Sequence, residues 1–339
     1  MGSLGQRVTS LTGARYPVMQ DALGTYKTAK LAAAVSEAGG LGTVSIPGTT
    51  VDPDHGAAVL REHIEETLRL TSAPFAVNIA VLKTEDGKVA PLSERYLQTI
   101  VELREDDERA REQLRVLTTS ALFPAEHRDL IEGSGLVHFH KVGSTGAAVR
   151  AAERGADGII AVGYEMGGHT HNRPVHTFVL VRNVSEAVDV PVIAGGGIRD
   201  GRGMAAAFCL GAEAVAMGTR FIASDGNGDW DPAYGDAVIG MREGEDITFP
   251  GVFGPVRGIR SKGVEKLRQL MDSGADTAVI NAWKDQHFQL AQREGKLEEG
   301  LVPMGQVASG IAAPVRIGEF IPAMADEARA LLADGDITL

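Results

Sequence analysis

Short apolar runs alternate along this chain with longer stretches that mix apolar and charged residues. Tyr16–Gln20 (YPVMQ), Leu41–Ser45, Phe75–Leu82 (FAVNIAVL), Leu114–Ser120, Leu136–Val142, Asp157–Gly163, Pro191–Gly196 and Ala214–Phe221 each read as a strand. Between them, Thr28–Ala38, His55–Leu70, Ser93–Arg111, Ala125–Glu132 and Thr145–Arg154 read as helices; Val59, Ile64 and Leu68 give the second of these its apolar side. The charge run ELREDDERARE is expected to be a solvated helix face. No hairpin signal separates the strands, so they must pair in parallel through right-handed crossovers. Eight such units predict an α/β chain built as a (β/α)8 TIM-type barrel over residues 1–222. An open doubly wound sheet is the alternative. It would carry its glycine fingerprint after the first strand, whereas here the glycine-rich ends fall after the seventh and eighth.

After Phe221 the alternation stops. DGNGDWDPAYGDAV and GEDITFPGVFGPVRGIRSKG lead into helical stretches at Gly263–Ser273 and Thr277–Glu294. Residues 223–300 are therefore expected to form a small, mainly helical lid domain. Leu301–Ile311 (LVPMGQVASGI) returns the chain to the barrel, which 301–339 completes with a last helix near Ala323–Leu332.

A hydrophobic content of 44% over 339 residues supports a full core. The net charge of -12 argues against nucleic acid or an anionic membrane surface as partner. No apolar run approaches the roughly 18 residues of a membrane span, and MGSLGQ lacks a secretory core, so a cytoplasmic location is expected. Cys209, the single cysteine, lies in MAAAFCLG and is expected to be a buried small hydrophobe. The implied partner is a small-molecule substrate, and an oligomer is compatible with all of this.

Barrels of this kind place their chemistry at the C-terminal strand ends, with a phosphate often held after strands seven and eight. Those ends are Gly195-Gly196-Gly197 and Gly218-Thr219, and the helix opening near Asp200–Gly203 adds a partial positive charge. The spacing of Gly195, Gly197 and Asp200 misses the dinucleotide pattern, which points to a mononucleotide such as FMN or to a sugar phosphate. Gly167 and Gly168 leave room for a planar ligand before His169, an imidazole suited to act as a base near neutral pH; the alternative is a loop histidine with a structural hydrogen bond. Lys141 shares a strand face with Val137 and Phe139 and either neutralises a ligand charge in the mouth or runs out to the surface. Asn78 is a polar residue inside an apolar strand, a structural hydrogen-bonder or a lining of the site. His138/His140 and His169/His171 raise a metal centre, but strand parity turns His138 and His140 away from Lys141 and no carboxylate ends the eighth strand; no metal is expected. Nothing local fixes the direction of Tyr164 or Glu165.

The order YPVMQ, LAAAVSEAGGLG, FAVN, HKV, GADGIIAVGYEMGGH, PVIAGGGIRDGRG, AVAMGTRF and GLVPMGQVASG resembles the nitronate monooxygenase family, formerly the 2-nitropropane dioxygenases. The resemblance is most specific over Asp157–Phe221. It implies an FMN-binding barrel with a helical lid, in which His169 is the catalytic base. It places flavin contacts on the Asp21-Ala22-Leu23 backbone, Asn78, Lys141, Gly167, Gly168, Gly195, Gly196, Gly197, Gly218 and Thr219. The implied reaction is oxidation of alkyl nitronates or nitroalkanes with O2. Alternatives are an NAD(P)H-linked flavin reductase, a dehydrogenase of a quinone or CoA thioester, and a non-catalytic barrel that keeps the phosphate site. Two departures touch the substrate side: Gln20-Asp21-Ala22-Leu23 where Gln-Ala-Pro-Met is usual, and His171 with Asn172 after GGHT.

Overall fold

A computed structural model describes residues 5–49, 51–251 and 254–333. The MGSL start, Thr50 of the loop before Pro53, Val252 and Phe253 of the expected lid, and the end of the completing segment after Ala333 lie outside the described residues. The strands are β1 Val18–Gln20, β2 Gly42–Val44, β3 Phe75–Val81, β4 Leu114–Ala121, β5 Val137–Val142, β6 Gly158–Val162, β7 Gly168–His169, β8 Val192–Gly195, β9 Ala214–Met217, β10 Asp246–Phe249 and β11 Val256–Ile259.

Eight of them form a parallel sheet in the order β1-β9-β8-β6-β5-β4-β3-β2. The ring closes between β1 and β2, where the Gln20 and Leu41 amides donate to Leu41 and Val18 carbonyls at 2.9 Å each. This seam is short, and the buried Gln20 side chain extends it. Its amide donates to the Thr43 carbonyl at 2.9 Å and accepts from the Thr43 N–H at 3.1 Å, copying one more step of backbone ladder. All eight expected barrel strands are present. The eighth ends at Met217 rather than Phe221, because the chain turns at Gly218 into a helix over Thr219–Ile222.

Inside the ring, Met19, Ala76, Val116, Phe139, Ile160, Ile193 and Ala214 fill the interior, with Val8 of the N-terminal helix Gln6–Thr12 packed against them. Outside, helix Pro53–Leu70 shows how the shell forms. Asp52 accepts from the Asp54 and His55 amides, Pro53 sits in the first turn, and Leu60, Ile64 and Leu68 repeat every four residues onto the sheet. Burial of each such side chain contributes about 2 kcal/mol. The expected helix Ser93–Arg111 is two helices, Pro91–Asp106 and Glu108–Gln113, because Asp107 adopts extended geometry and caps the second through the Arg109 amide. Its charge run is mostly solvated, but Arg104 is buried and donates to the carbonyls of Arg111 and Ser134 at 2.8 and 3.1 Å. Cys209, expected to be buried, is exposed: it ends helix Gly201–Cys209 on the side away from buried Phe208.

Sheet and shell meet closely at Gly42, where a β-carbon would lie 1.9 Å from the Ala32 carbonyl oxygen. Gly42→Ala is therefore expected to cost about 1–3 kcal/mol through overpacking. A urea midpoint equal to that of the parent protein would contradict this.

Residues 223–300 hold helices Pro232–Gly240, Lys262–Asp272 and Thr277–Glu294, together with an antiparallel hairpin β10–β11 that the pattern of residues did not foretell. The hairpin joins the barrel through β7, where Val256 pairs with His169 and Arg257 with Gly168 in antiparallel register. Helix Thr277–Glu294 lies over the β1 and β2 loops: Asp285 accepts from the Thr49 N–H and hydroxyl at 3.2 and 2.9 Å, and Phe288 packs edge-on to Tyr26 at 6.0 Å. Within Leu301–Ile311, the Gly305 N–H donates to the Thr219 hydroxyl oxygen at 2.9 Å. The last helix runs from Ile317 to Ala333.

Candidate functional site

Lys141, Asp21 and Gly218 stand at or just past the C-terminal ends of their strands. Asn78 on β3 is buried and donates to the Thr118 hydroxyl at 2.9 Å, so its amide is held from one side and carried on the inner wall. Lys141 follows Phe139 on β5 by two residues and shares its inward face, as parity requires. It does not run to the surface: its ammonium lies 2.5 Å from Asp21 Oδ1, with the two side chains 12% and 13% exposed. The same carboxylate oxygen accepts from the Ala22 amide at 2.9 Å, while the Asp21 amide donates to the Met217 carbonyl at 2.9 Å. Leu23 is anchored by its amide on Ser45 Oγ at 3.2 Å, and a β-carbon on Gly218 would touch it at 3.0 Å.

The glycine ends divide into two kinds. Gly167 is there for packing, since a β-carbon would come within 2.5 Å of the Met304 and Gly305 backbone. Gly168, Gly196 and Gly197 have φ of 74°, 90° and 76°, which L side chains rarely adopt. A β-carbon on Gly168 would meet nothing within 4 Å, and one on Gly197 nothing nearer than 3.7 Å. Gly196 is closed, a β-carbon there lying 2.9 Å from the Gly163 carbonyl oxygen, but the open space beside Gly168 and Gly197 suits a phosphate or a flat ring laid against main chain. Glu165 does not face that space as an acid. It accepts from the Thr177 amide at 3.1 Å and the Thr177 hydroxyl at 2.9 Å, capping helix Thr177–Ala187.

His169 is half-buried on β7, and its Nε2 lies 3.4 Å from the ammonium of Lys284. Lys284, from helix Thr277–Glu294, also donates to Asn281 Oδ1 at 3.1 Å and is only 1% exposed. Loss of hydration, then the Lys284 cation, pushes the His169 pKa down to about 3. Burial likewise lowers Lys284 to about 8, partly opposed by Asp285. The pair at neutral pH is thus a neutral imidazole with Nε2 accepting and an ammonium donating. Lys284 carries a signal in the sequence that the expected site residues did not include: it stands four residues from each of Ile280 and Phe288, a charge on the buried side of a helix.

His138 and His140 lie on the outer face of β5, away from the mouth. Both are buried and share the Thr119 hydroxyl, at 2.7 Å to His138 Nε2 and 2.8 Å to His140 Nδ1, so one imidazole accepts its proton and the other donates to its oxygen. Among the described residues no three His, Cys, Asp or Glu side chains converge on a metal position. Burial lowers their pKa values to about 3 and about 4. The unfolded chain would protonate both near pH 6.5 while the folded chain does not, so stability rises with pH in this window. Below pH 6.5 each is expected to cost up to about 1.4 kcal/mol per pH unit until its folded value is reached. Urea unfolding at pH 7 and pH 5 measures this, and equal free energies would contradict it.

The sequence profile that defines nitronate monooxygenase matches residues 6–327. The chain belongs to the nitronate monooxygenase family. It is accordingly a flavin-dependent oxidoreductase, and no helix among the described residues is long and apolar enough to cross a membrane. A relative in Rhodococcus jostii (strain RHA1), named (3aS,4S,5R,7aS)-5-hydroxy-7a-methyl-1-oxo-octahydro-1H-indene-4-carboxyl-CoA dehydrogenase, is 36% identical over 222 residues, 66% of this chain and 56% of its own length. The match thus spans little more than half of that relative. The protein of the same name in Mycobacterium tuberculosis is 32% identical over 87% of this chain and 77% of its own. Among solved structures, FabK from Thermotoga maritima superposes with a TM-score of 0.82 at 33% identity, covering 96% of each chain.

Proposed function

We propose that this family member is an FMN-dependent oxidoreductase acting on a carbon acid, in which His169 removes the proton beside an electron-withdrawing group and Lys284 holds the negative charge that develops on that group. The observation that carries this reading is the 3.4 Å contact between His169 Nε2 and Lys284 Nζ at the barrel mouth. Burial and the Lys284 cation keep the imidazole unprotonated at neutral pH, and Nε2 would be free to accept once a bound substrate takes over the Lys284 contact. Lys284 is largely charged at neutral pH, and in a site shielded from water its charge acts strongly on an oxyanion. Bound FMN would supply the electron sink, exchanging its electrons with O2 or NAD(P)H. The residues that would hold it are the Asp21-Ala22-Leu23 backbone, Asn78, Lys141, Gly167, Gly168, Gly195, Gly196, Gly197, Gly218 and Thr219. In this reading 223–300 is the substrate-side lid on a barrel made of 1–222 and 301–339.

The first substrate class is an alkyl nitronate or nitroalkane, whose nitro oxygens suit an ammonium. A CoA thioester is the second, favoured by the 36% and 32% identities to proteins named as carboxyl-CoA dehydrogenases; the same pair would serve an enolate. Anaerobic mixing of FMN-loaded enzyme separates them. Bleaching of the flavin by a neutral nitroalkane supports the first, bleaching by an acyl-CoA the second, and no bleaching by either sinks the carbon-acid reading.

The pair also sets a pH profile. Turnover is expected to fall as pH rises through about 8, where Lys284 loses its proton. Lys284→Met should remove that alkaline limb and lower turnover about 100-fold. A variant that keeps both the limb and the rate would rule Lys284 out.

A further inference from the structure

We propose that Asp21 is a tuning residue: by pairing with Lys141 at the barrel mouth it cancels the charge of that cation and holds the flavin at a lower reduction potential than Lys141 alone would set. The inference rests on the reading that FMN occupies the mouth. Three observations carry it. The carboxylate and ammonium meet at 2.5 Å with about seven-eighths of each side chain covered, so water screens the pair little. Asp21 is fixed independently of Lys141, since its amide is tied to the Met217 carbonyl and its Oδ1 accepts from the Ala22 amide, both at 2.9 Å. The third is His171, whose ring packs so closely on Gly143, two residues along the chain from Lys141, that a β-carbon there would lie 1.9 Å from it. Lys141 contributes to lowering the His171 pKa, behind the larger effect of burial. The imidazole therefore stays neutral and adds no second cation. The net charge of the Asp21, Lys141 and His171 group is zero.

Reduction adds negative charge to a flavin, and a nearby cation favours the reduced form while a neutral pair does not. Asp21 thus makes the reduced cofactor a readier donor.

The test is equilibrium dye potentiometry on FMN-loaded protein, with sulfite affinity as a second readout because sulfite binding also places negative charge on the flavin. Asp21→Asn should raise the midpoint potential and tighten sulfite binding about tenfold. Lys141→Met, which leaves the carboxylate alone, should move both readouts the opposite way. The double substitution should return near the parent values, as the sum of two opposite charge shifts, whereas a purely structural role would make the two losses accumulate. Unchanged potential and sulfite affinity in Asp21→Asn with FMN retained overturns the inference while leaving the cofactor reading intact. Parent protein that takes up no FMN overturns the cofactor reading and this inference with it.

Discussion

Replacing His169 with alanine in FMN-loaded enzyme is expected to cut turnover about 10²- to 10⁴-fold, the range that a positioned general base contributes. The flavin should remain bound, because the residues assigned to hold it lie on β1, β3, β5, β8 and β9 and on the glycines flanking the site, not on the imidazole. The visible spectrum checks this in the same sample. His169→Gln should be nearly as slow, since an amide at that position can accept a hydrogen bond from Lys284 but cannot take a proton. Turnover within threefold of the parent for either variant, with flavin retained, would show that the base lies elsewhere.

The second large effect is expected at Arg257. Its guanidinium is paired with Asp246, both side chains being less than a tenth exposed, and it donates to the Tyr164 carbonyl at 3.1 and 3.3 Å while lying 4.8 Å over the Tyr164 ring. Gln306 donates to the same Asp246 carboxylate at 3.3 Å. Arg257→Met would leave the carboxylate buried with only that amide, at a cost of about 3–5 kcal/mol. Because Arg257 pairs in register with Gly168, next to His169, turnover should fall along with stability. The double variant Arg257→Met with Asp246→Leu should recover most of the stability by removing the orphaned charge. If the single variant unfolds at the parent's urea midpoint, the pair contributes nothing.

Much of this architecture was legible because parallel barrel strands are buried on both faces. Runs such as FAVNIAVL and GIIAV are continuous in apolarity, and glycines mark where they stop. Period two along β5 put Lys141 on the face of Val137 and Phe139, but whether it ended in the mouth or at the surface was decided by Asp21, which no local pattern announces. What escaped was set by contacts between residues far apart in the chain. Asp21 and Lys141 are neighbours only because the ring of strands closes. The hairpin β10–β11 was hidden because its four-residue strands carry Asp246 and Arg257 inward, reversing the usual polar-out signal. A two-residue strand such as β7 has no periodicity to read. Lys284 was concealed by ordinary expectation, since a lysine on a helix is usually solvated.

The antiparallel ladder between β7 and β11 has a mechanical meaning. A slip of one residue would turn His169 to the opposite face, so the hairpin fixes which way that imidazole points. Lys284 comes from the same appended segment, on helix Thr277–Glu294. Swinging that segment aside to admit a bulky substrate would pull the ammonium from the imidazole and strain the strand that carries it. On the proposed reading, access and reactivity would then be mutually exclusive states, an interlock in which the acid–base pair is assembled only while that segment is in place.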